Sequence, residues 1–208
     1  MRRSSLKCFG TLGLAALMAM TAPAASRRQP VPGAVAIGAA SNFSQGWNDL
    51  TGKAVRDLQM VRLRDSIRWS EVERTPGRYQ FDRPTTTWPD RFPGVAITLT
   101  LNWGNPLHDN GHSPSSPEGL AAFGRFAAAV ASRFPQVDTL EIGNEVNSAN
   151  FVSGPVKDAG LAPRGAYHLA MVRAAAQAVQ AVRPGMKVIG GSTHSLPAGF
   201  LWPLLDLT

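Results

Sequence analysis

The stretch VAITLTLNW, residues 95–103, decides the fold that the sequence predicts. Its apolar residues stand at every second position from Val95 to Leu101, with alanine or threonine between them. This period of two is typical of a β-strand with one apolar and one polar face. Strands of an open parallel sheet that helices cover on both faces are usually apolar throughout. The stretch therefore favours a sheet with one polar face.

Two other segments repeat this alternation, and two shorter apolar segments complete a set of five predicted strands. On QMVRLRDS (59–66) valine and leucine alternate with arginine, and on DTLEIGNE (138–145) leucine and isoleucine alternate with glutamate and glycine. The shorter segments are VAIGAA (35–40) and KVIGGS (187–192). Helix-like segments follow the first, third, fourth and fifth strands, at residues 50–58, 115–134, 164–182 and 196–207.

Strands that alternate with helices at this spacing indicate a parallel sheet with crossover helices. Such a sheet either stays open and doubly wound or closes into a (β/α)8 barrel. The polar face on three of the strands favours the barrel, because its outer face meets the helices and its inner face carries polar and charged groups. We therefore expect an α/β fold of the (β/α)8 TIM-barrel type, incomplete, with about strands 1 to 5 present.

The first 25 of the 208 residues have the pattern of a secretory signal peptide. A basic start, MRRSSLK, precedes the apolar run CFGTLGLAALMAMT, and APAA supplies the small residues suited to cleavage. An uncleaved anchor is the alternative, although the apolar run is short for a membrane span. We expect a signal peptide over 1–25, one barrel-type domain over 26–208, and a secreted or periplasmic protein.

Charge and composition argue against several classes of function. Removing residues 1–25 takes out Arg2, Arg3 and Lys7 and no acidic residue, so the net charge falls from +7 to +4. The remaining basic residues are scattered, which gives no support to nucleic-acid or further membrane binding. The only cysteine, Cys8, lies in the leader, so the mature chain has neither a disulfide nor thiol chemistry.

Cofactor and metal sites lack their usual sequence signals. The segment after the first strand, GAASNFSQG (38–46), matches neither nucleotide-binding fingerprint. HDNGH (108–112) holds two histidines around an Asn-Gly turn, without helical spacing or further ligands, and so does not predict a metal site. We expect no cofactor and no metal.

Polar residues follow the predicted strands, where the active site of a (β/α)8 barrel lies. They combine hydrogen-bonding groups with an aromatic ring, and one carboxylate lies near the middle of the set. Such a set suits a sugar, whose hydroxyls need donors and acceptors and whose apolar ring face packs on an aromatic side chain. The residues are Arg64, Asp65, Asn102, Trp103, His108, Asn144, Glu145, Asn147, Ser192 and His194.

Three blocks of sequence resemble a known family. GNE at 143–145 looks like the acid/base signature of the retaining glycoside hydrolases of clan A. RDSIRWSEVERTPGRYQFD at 64–82 is similar to the block after the second strand in family 39-type, β-xylosidase-like members. The segments FAAAVASRFPQVDTLEIGNEVN and AYHLAMVRAAAQAVQAVRPGMKVIGG follow the layout of the same family. The resemblance covers about residues 35–205.

The resemblance implies roles for individual residues. Glu145 would be the general acid/base, Asn144 would hydrogen-bond the sugar 2-hydroxyl, and Arg64 would lie near the carboxylate of the nucleophile. Glu141, deeper on the same face, reads as a structural charge paired with Arg62 or Arg64, because a buried charge without a partner is costly.

For three further residues the sequence leaves alternatives open. Trp103 is either a sugar platform or a packing residue. His108 and His194 either reach the substrate or are ordinary loop histidines. We keep all three as candidate substrate-binding residues.

In the clan, the nucleophile is a glutamate at the end of the seventh strand, and no acid of the 208 residues fills that position. We therefore expect the N-terminal part of a retaining glycosidase acting on an oligo- or polysaccharide, with the acid/base but without the nucleophile, inactive as it stands. The alternatives are a non-catalytic carbohydrate-binding protein and a half-barrel that associates with itself through open sheet edges.

Overall fold

The computed structural model describes residues 36–205, so the predicted signal peptide lies outside the described residues. Within 36–205, no helix combines the length and the apolar character needed to cross a membrane. The secreted or periplasmic location stays a prediction.

Five parallel strands form the main sheet, in the spatial order β1-β2-β5-β6-β7. All five predicted strands are present, each shorter than its apolar segment. Their bounds are β1 Gly38–Ala40, β2 Arg62–Ser66, β5 Ala96–Leu101, β6 Val137–Ile142 and β7 Lys187–Gly190. Parallel neighbours joined by crossover segments confirm the predicted architecture.

Two long helices connect the later strands. α4 (Pro117–Arg133) begins after Ser116, whose hydroxyl accepts a hydrogen bond from the Gly119 amide, and α6 spans Leu161–Val182. The two helices pack closely, and a Cβ on Gly124 would lie 2.8 Å from the Ala174 carbonyl oxygen. The shorter helices are α1 Asp49–Asp57, α2 Trp69–Val72, α3 Pro84–Thr87, α5 Pro155–Asp158 and α7 Ala198–Leu205.

A small antiparallel hairpin, formed by β3 (Glu73–Thr75) and β4 (Arg78–Tyr79), lies between β2 and β5. Its turn contains Gly77, whose φ of 72° lies in the left-handed region that glycine enters without steric cost. The chain then forms α3 and a 3-10 turn at Trp88–Arg91 in place of a full crossover helix.

The main sheet has one apolar and one polar face, as the alternation predicts. The apolar side chains lie fully buried against the helices, and they include Leu63, Ile97, Leu99, Leu101, Leu140 and Ile142. On the opposite face the polar residues stand in register, with Arg64 beside Thr98 and Thr100 beside Glu141. A bulge in β6 opposite Ile97 and Thr98 inserts Asp138, whose carboxylate pairs with Arg62 at 3.1 Å.

Candidate functional site

The C-terminal ends of the strands surround a cleft of about 240 Å³. Loops after β1, β5 and β6 supply most of its rim, and β2 supplies its floor. Its lining consists of Ala40, Ser41, Asn42, Gln45, Arg64, Asp65, Ser66, Thr100, Asn102, Trp103, Asn144 and Phe151. Five residues predicted for the site therefore share one cleft, namely Arg64, Asp65, Asn102, Trp103 and Asn144.

A larger cavity of about 610 Å³ lies toward the opposite end of the strands, lined by residues such as Arg62, Asp138 and Lys187. In (β/α)8 barrels the chemistry occurs at the C-terminal ends, whereas the other end serves stability. We therefore place the candidate site at the smaller cleft, although the larger cavity has more volume.

An ion pair beneath the cleft fixes its floor. Arg64 Nε donates to Glu141 Oε2 at 2.6 Å, and Thr100 Oγ1 donates to the same oxygen at 2.7 Å. The Ser192 amide donates to Glu141 Oε1 at 3.1 Å. Both oxygens of this buried carboxylate are thus engaged, which confirms the predicted pairing of Glu141 with an arginine and identifies Arg64 as that partner.

Asn144 is held by its side-chain oxygen. Oδ1 accepts hydrogen bonds from Arg64 Nη2 at 2.9 Å and from Ser192 Oγ at 3.0 Å. Because two donors fix the oxygen, the amide nitrogen is oriented by the same contacts. No hydrogen bond to another residue of 36–205 engages that nitrogen, which leaves it as a donor for a ligand in the cleft.

Glu145 has a left-handed backbone, with φ at 46°, a conformation uncommon for residues other than glycine. Its amide donates to the Ser192 carbonyl at 2.7 Å, and its side chain is one-third exposed. His194 Nδ1 lies 3.7 Å from Glu145 Oε2, and the His194 ring is exposed. The structure therefore brings Glu145 and His194 together next to Asn144, although neither is among the residues that line the cleft.

The loops after β6 and β7 are joined by a reciprocal pair of hydrogen bonds. Asn147 Nδ2 donates to the His194 carbonyl at 2.8 Å, and the His194 amide donates to Asn147 Oδ1 at 2.9 Å. Lower down, the backbones approach so closely that a Cβ on Gly191 would lie 2.0 Å from the Gly143 carbonyl oxygen. This corner of the sheet thus has a tightly determined geometry.

Trp103 is a second non-glycine residue of the site in the left-handed region, with φ at 71°. Its side chain is 43% exposed, and its ring lies 5.8 Å from that of Phe151. For a bulky residue such a φ is an outlier that the surrounding structure must hold in place. Phe151 was not predicted from the sequence, because a single aromatic residue in a polar loop is not part of any periodic pattern.

Asp65 has a role that the sequence did not define. The carboxylate is buried and accepts hydrogen bonds from Ser41 Oγ at 3.0 Å and Ser44 Oγ at 2.7 Å, and from the amide of Ser66. It thereby holds the loop after β1, which carries Asn42 and Gln45 into the cleft. Ser44 and Ser41 lie 21 and 24 residues from Asp65 in the sequence, so no local sequence pattern predicts these hydrogen bonds.

His108 does not line the cleft. Its ring stacks on Trp69 at 4.9 Å between centroids, and Nε2 lies 3.3 Å from the buried carboxylate of Glu73. These contacts place it against the β3–β4 hairpin, where it has a packing role. The substrate-binding prediction for His108 therefore has no support from its position.

Over residues 36–205, no group of three or more His, Cys, Asp or Glu side chains is arranged to hold a metal ion. Asp65 and Glu141 accept hydrogen bonds from the chain itself, and Glu145 lies beside His194.

The chain shares its fold with solved glycoside hydrolases. A family 39 glycoside hydrolase from Bacteroides cellulosilyticus WH2 matches 81% of this chain with a TM-score of 0.60 at 19% identity. An exo-β-1,4-mannosidase from Opitutaceae bacterium strain TAV5 matches 83% of this chain with a TM-score of 0.56 at 18% sequence identity. The endoglucanase Cel5A of Pseudomonas stutzeri matches 76% of this chain with a TM-score of 0.52 at 18% sequence identity.

The matched region corresponds to 34%, 35% and 47% of the three neighbours, so the chain spans less than half of each. No protein-family model and no curated protein matches the sequence. The structural neighbours are clan A glycoside hydrolases, and at this identity the likeness is one of fold. The fold is thus a partial (β/α)8 barrel, while membership of family 39 stays a prediction.

Proposed function

We propose that this chain carries the acid/base part of a retaining glycoside hydrolase site. The observation that supports this most is the position of Asn144 and Glu145 directly after β6, at the C-terminal edge of a partial barrel and beside a polar cleft with an aromatic rim. Glu145 retains an exposed carboxyl group there, whereas the neighbouring Glu141 is fully engaged in hydrogen bonds.

In this mechanism Glu145 protonates the glycosidic oxygen as the bond to the sugar breaks, and later removes a proton from the attacking water. Asn144 donates from its amide nitrogen to a sugar hydroxyl, and Arg64 orients Asn144. Trp103 packs against the sugar ring, and His194 contacts the carboxyl group of Glu145. The leaving group lies on the side of Glu145, and the sugar that is attacked lies in the cleft.

A retaining enzyme also needs a carboxylate nucleophile about 5–5.5 Å from the acid/base group. Among residues 36–205, the carboxylates nearest the cleft floor are Asp65 and Glu141, and both accept hydrogen bonds from the chain itself. We assign the nucleophile to neither. We therefore expect the 208-residue polypeptide to show no hydrolysis of aryl β-glycosides by itself.

Azide tests the role of Glu145 without a protein nucleophile. It would attack the anomeric carbon of an aryl β-glycoside and form a C–N bond, while the phenol departs with a proton from Glu145, giving an α-glycosyl azide. We expect this product from the wild-type chain and a loss of at least about tenfold in Glu145→Gln. Glu118→Gln, which alters the first turn of α4, is the control. Product formation that is equal in wild type and Glu145→Gln would contradict the proposal.

A non-catalytic carbohydrate-binding protein is the second candidate, favoured by the same cleft and by the engagement of Asp65 and Glu141. It predicts saturable binding of an oligosaccharide with no azide product. Self-association is the third, since β1 and β7 are the edge strands of the described sheet and Trp202 is 75% exposed. Sedimentation of the chain over a range of concentrations tests it, and a monomer throughout would contradict it.

A further inference from the structure

The charged groups in the cleft lining are neutralised or engaged within the protein. Arg64 and Asp65 are the two charged residues among the described residues that line the cleft. Arg64 donates to Glu141 and to the Asn144 oxygen, and Asp65 accepts from Ser41, Ser44 and Ser66. A ligand in the cleft therefore meets no arginine whose charge lacks a partner carboxylate.

The charges of the cleft lining and of its floor are negative in sum. Arg64 pairs with the Glu141 carboxylate beneath the cleft, whereas the buried Asp65 carboxylate accepts hydrogen bonds from serines and has no ion-pair partner among the described residues. An anionic ligand would give up hydration on entering and would meet like charges at short range, which disfavours it. A neutral ligand avoids this cost.

The groups that remain for a ligand are neutral. Asn42 Oδ1 accepts from Gln45 Nε2 at 3.0 Å, which leaves the Asn42 amide nitrogen and the Gln45 oxygen facing the cleft. The amide nitrogen of Asn144 adds a further donor, and the Ser66 hydroxyl, which donates to Ser44 Oγ at 3.0 Å, can accept. The exposed indole of Trp103, supported by Phe151, offers an apolar surface for the C–H face of a ring.

From these contacts we infer that the cleft selects an uncharged sugar unit, packed on Trp103, and rejects the corresponding uronate. This specificity rests on the proposed function, because it names the class of sugar that the same site takes. The discrimination arises because the Asp65 carboxylate repels a carboxylate at C6, and the charge of Arg64 is already paired with Glu141. A neutral hydroxymethyl group on C5, or a hydrogen in its place, meets no such repulsion.

Pairs of ligands that differ only at C6 test the inference. We would titrate the full 208-residue chain with 4-nitrophenyl β-glucoside and β-glucuronide, and with the matching galactoside and galacturonide, by calorimetry or ligand-observed NMR. For every pair in which binding is measurable, we expect the neutral sugar to bind at least tenfold more tightly at low salt. The gap should narrow in 0.5 M salt, because mobile ions screen repulsion between charges.

The contribution of the aromatic surface needs matched tryptophan variants. Trp103→Ala should weaken binding of the neutral glycoside at least tenfold, whereas Trp202→Ala, at an exposed tryptophan on α7, should leave it unchanged. Circular dichroism checks the fold of each variant. If Trp103→Ala is unfolded, Phe151→Ala replaces it, with weaker binding expected because the support of the indole is lost.

The outcomes separate the two proposals. Binding of a uronate within tenfold of its neutral partner, or tighter, would overturn the selection of neutral sugars and leave the glycosidase proposal intact. Absence of binding for these four glycosides and for xyloside and mannoside probes would contradict the proposed function itself. Equal affinity of wild type and a folded Trp103→Ala would overturn the assignment of Trp103 as the packing surface.

Discussion

Each end of the five-stranded sheet carries an arginine–carboxylate pair on its polar face, in different surroundings. At the upper end, where the strands finish, Arg64 contacts Glu141, whose side chain is 7% exposed. At the lower end, Arg62 contacts Asp138, whose side chain is 14% exposed. The arginine is 50% exposed at the lower end and 39% exposed at the upper end, so both members of the lower pair are the more exposed. The upper pair also holds Asn144 through Arg64, whereas the Arg62 guanidinium additionally contacts Thr98.

The comparison teaches that the two ends tolerate change differently. The upper end combines the buried Glu141 carboxylate with left-handed backbone conformations at Trp103 and Glu145. The backbones of Gly143 and Gly191 also lie very close together there, so few atoms of this end can move independently. At the lower end the Arg62 side chain is half exposed, and its partner, Asp138, lies in a β-bulge. The following predictions test this contrast, from the largest expected effect to the smallest.

Gly191→Ala should have the largest effect. A Cβ there would lie 2.0 Å from the Gly143 carbonyl oxygen, a contact that only a backbone shift relieves. We expect a loss of about 3 kcal/mol or more in the free energy of unfolding, measured by chemical denaturation. The adjacent Gly190→Ala is the control, since its Cβ would meet nothing closer than His168 Cε1 at 3.5 Å. Equal stabilities would contradict the close approach.

Arg64→Ala and Arg62→Ala compare the two pairs directly. Arg64→Ala leaves the Glu141 carboxylate buried with two neutral donors, and we expect a cost of about 2–3 kcal/mol, reduced from a fully buried pair by the partial exposure of Arg64. For the half-exposed Arg62 we expect about 0–1 kcal/mol. Urea unfolding of both variants measures the difference. A larger effect for Arg62→Ala would reverse the assignment of the two ends.

His168 gives the upper end a dependence on pH. Burial lowers the pKa of His168, opposed by its hydrogen bond to the Ile142 carbonyl, and Nδ1 has no hydrogen-bond partner among the described residues. Because the unfolded chain binds the proton more readily, its contribution to stability is present above about pH 6.5 and is lost progressively as the pH falls from there through the folded pKa.

We therefore expect His168→Gln to have a shallower decline of unfolding free energy between pH 7 and pH 5 than wild type. His112→Gln, at another exposed histidine, is the matched control and should keep the wild-type slope. A slope that His168→Gln leaves unchanged would show that this histidine does not couple folding to pH.

Asn147→Ala should have the smallest effect on global stability and a local effect on dynamics. The variant loses both hydrogen bonds to the backbone of His194. We expect faster amide hydrogen exchange in residues 192–195 and a change of about 1 kcal/mol or less in the free energy of unfolding. Unchanged exchange at the His194 amide would contradict the role of this pair.

The strands and long helices were predictable from the sequence, because their signals are local. Alternation from Val95 to Leu101 gave both the strand and its buried face, and the Ser-Pro-Glu start of α4 marked its N-terminus within two residues. The pairing of Glu141 with an arginine was also predictable, since a buried carboxylate needs a partner. The sequence did not show whether Arg62 or Arg64 pairs with Glu141. The bulge that brings Asp138 to Arg62 has no local sequence signature.

The parts of the site that depend on long-range contacts were not predictable. His108 and His194 carry the same loop signal, yet one packs on Trp69 and the other lies beside Glu145. The capture of Ser41 and Ser44 by Asp65 and the pairing of Trp103 with Phe151 join distant segments of chain. Only the packed structure determines which of these distant groups meet.

The left-handed backbone at Glu145 has a consequence for sequence drift. Glycine and asparagine adopt this conformation more readily than glutamate, so a glutamate there lowers stability relative to either. A library of position-145 variants sorted for folding alone should enrich glycine and asparagine, whereas sorting for glycosyl transfer to azide should retain glutamate. Any divergence between the two sorted pools would separate selection for chemistry from selection for folding at a single residue.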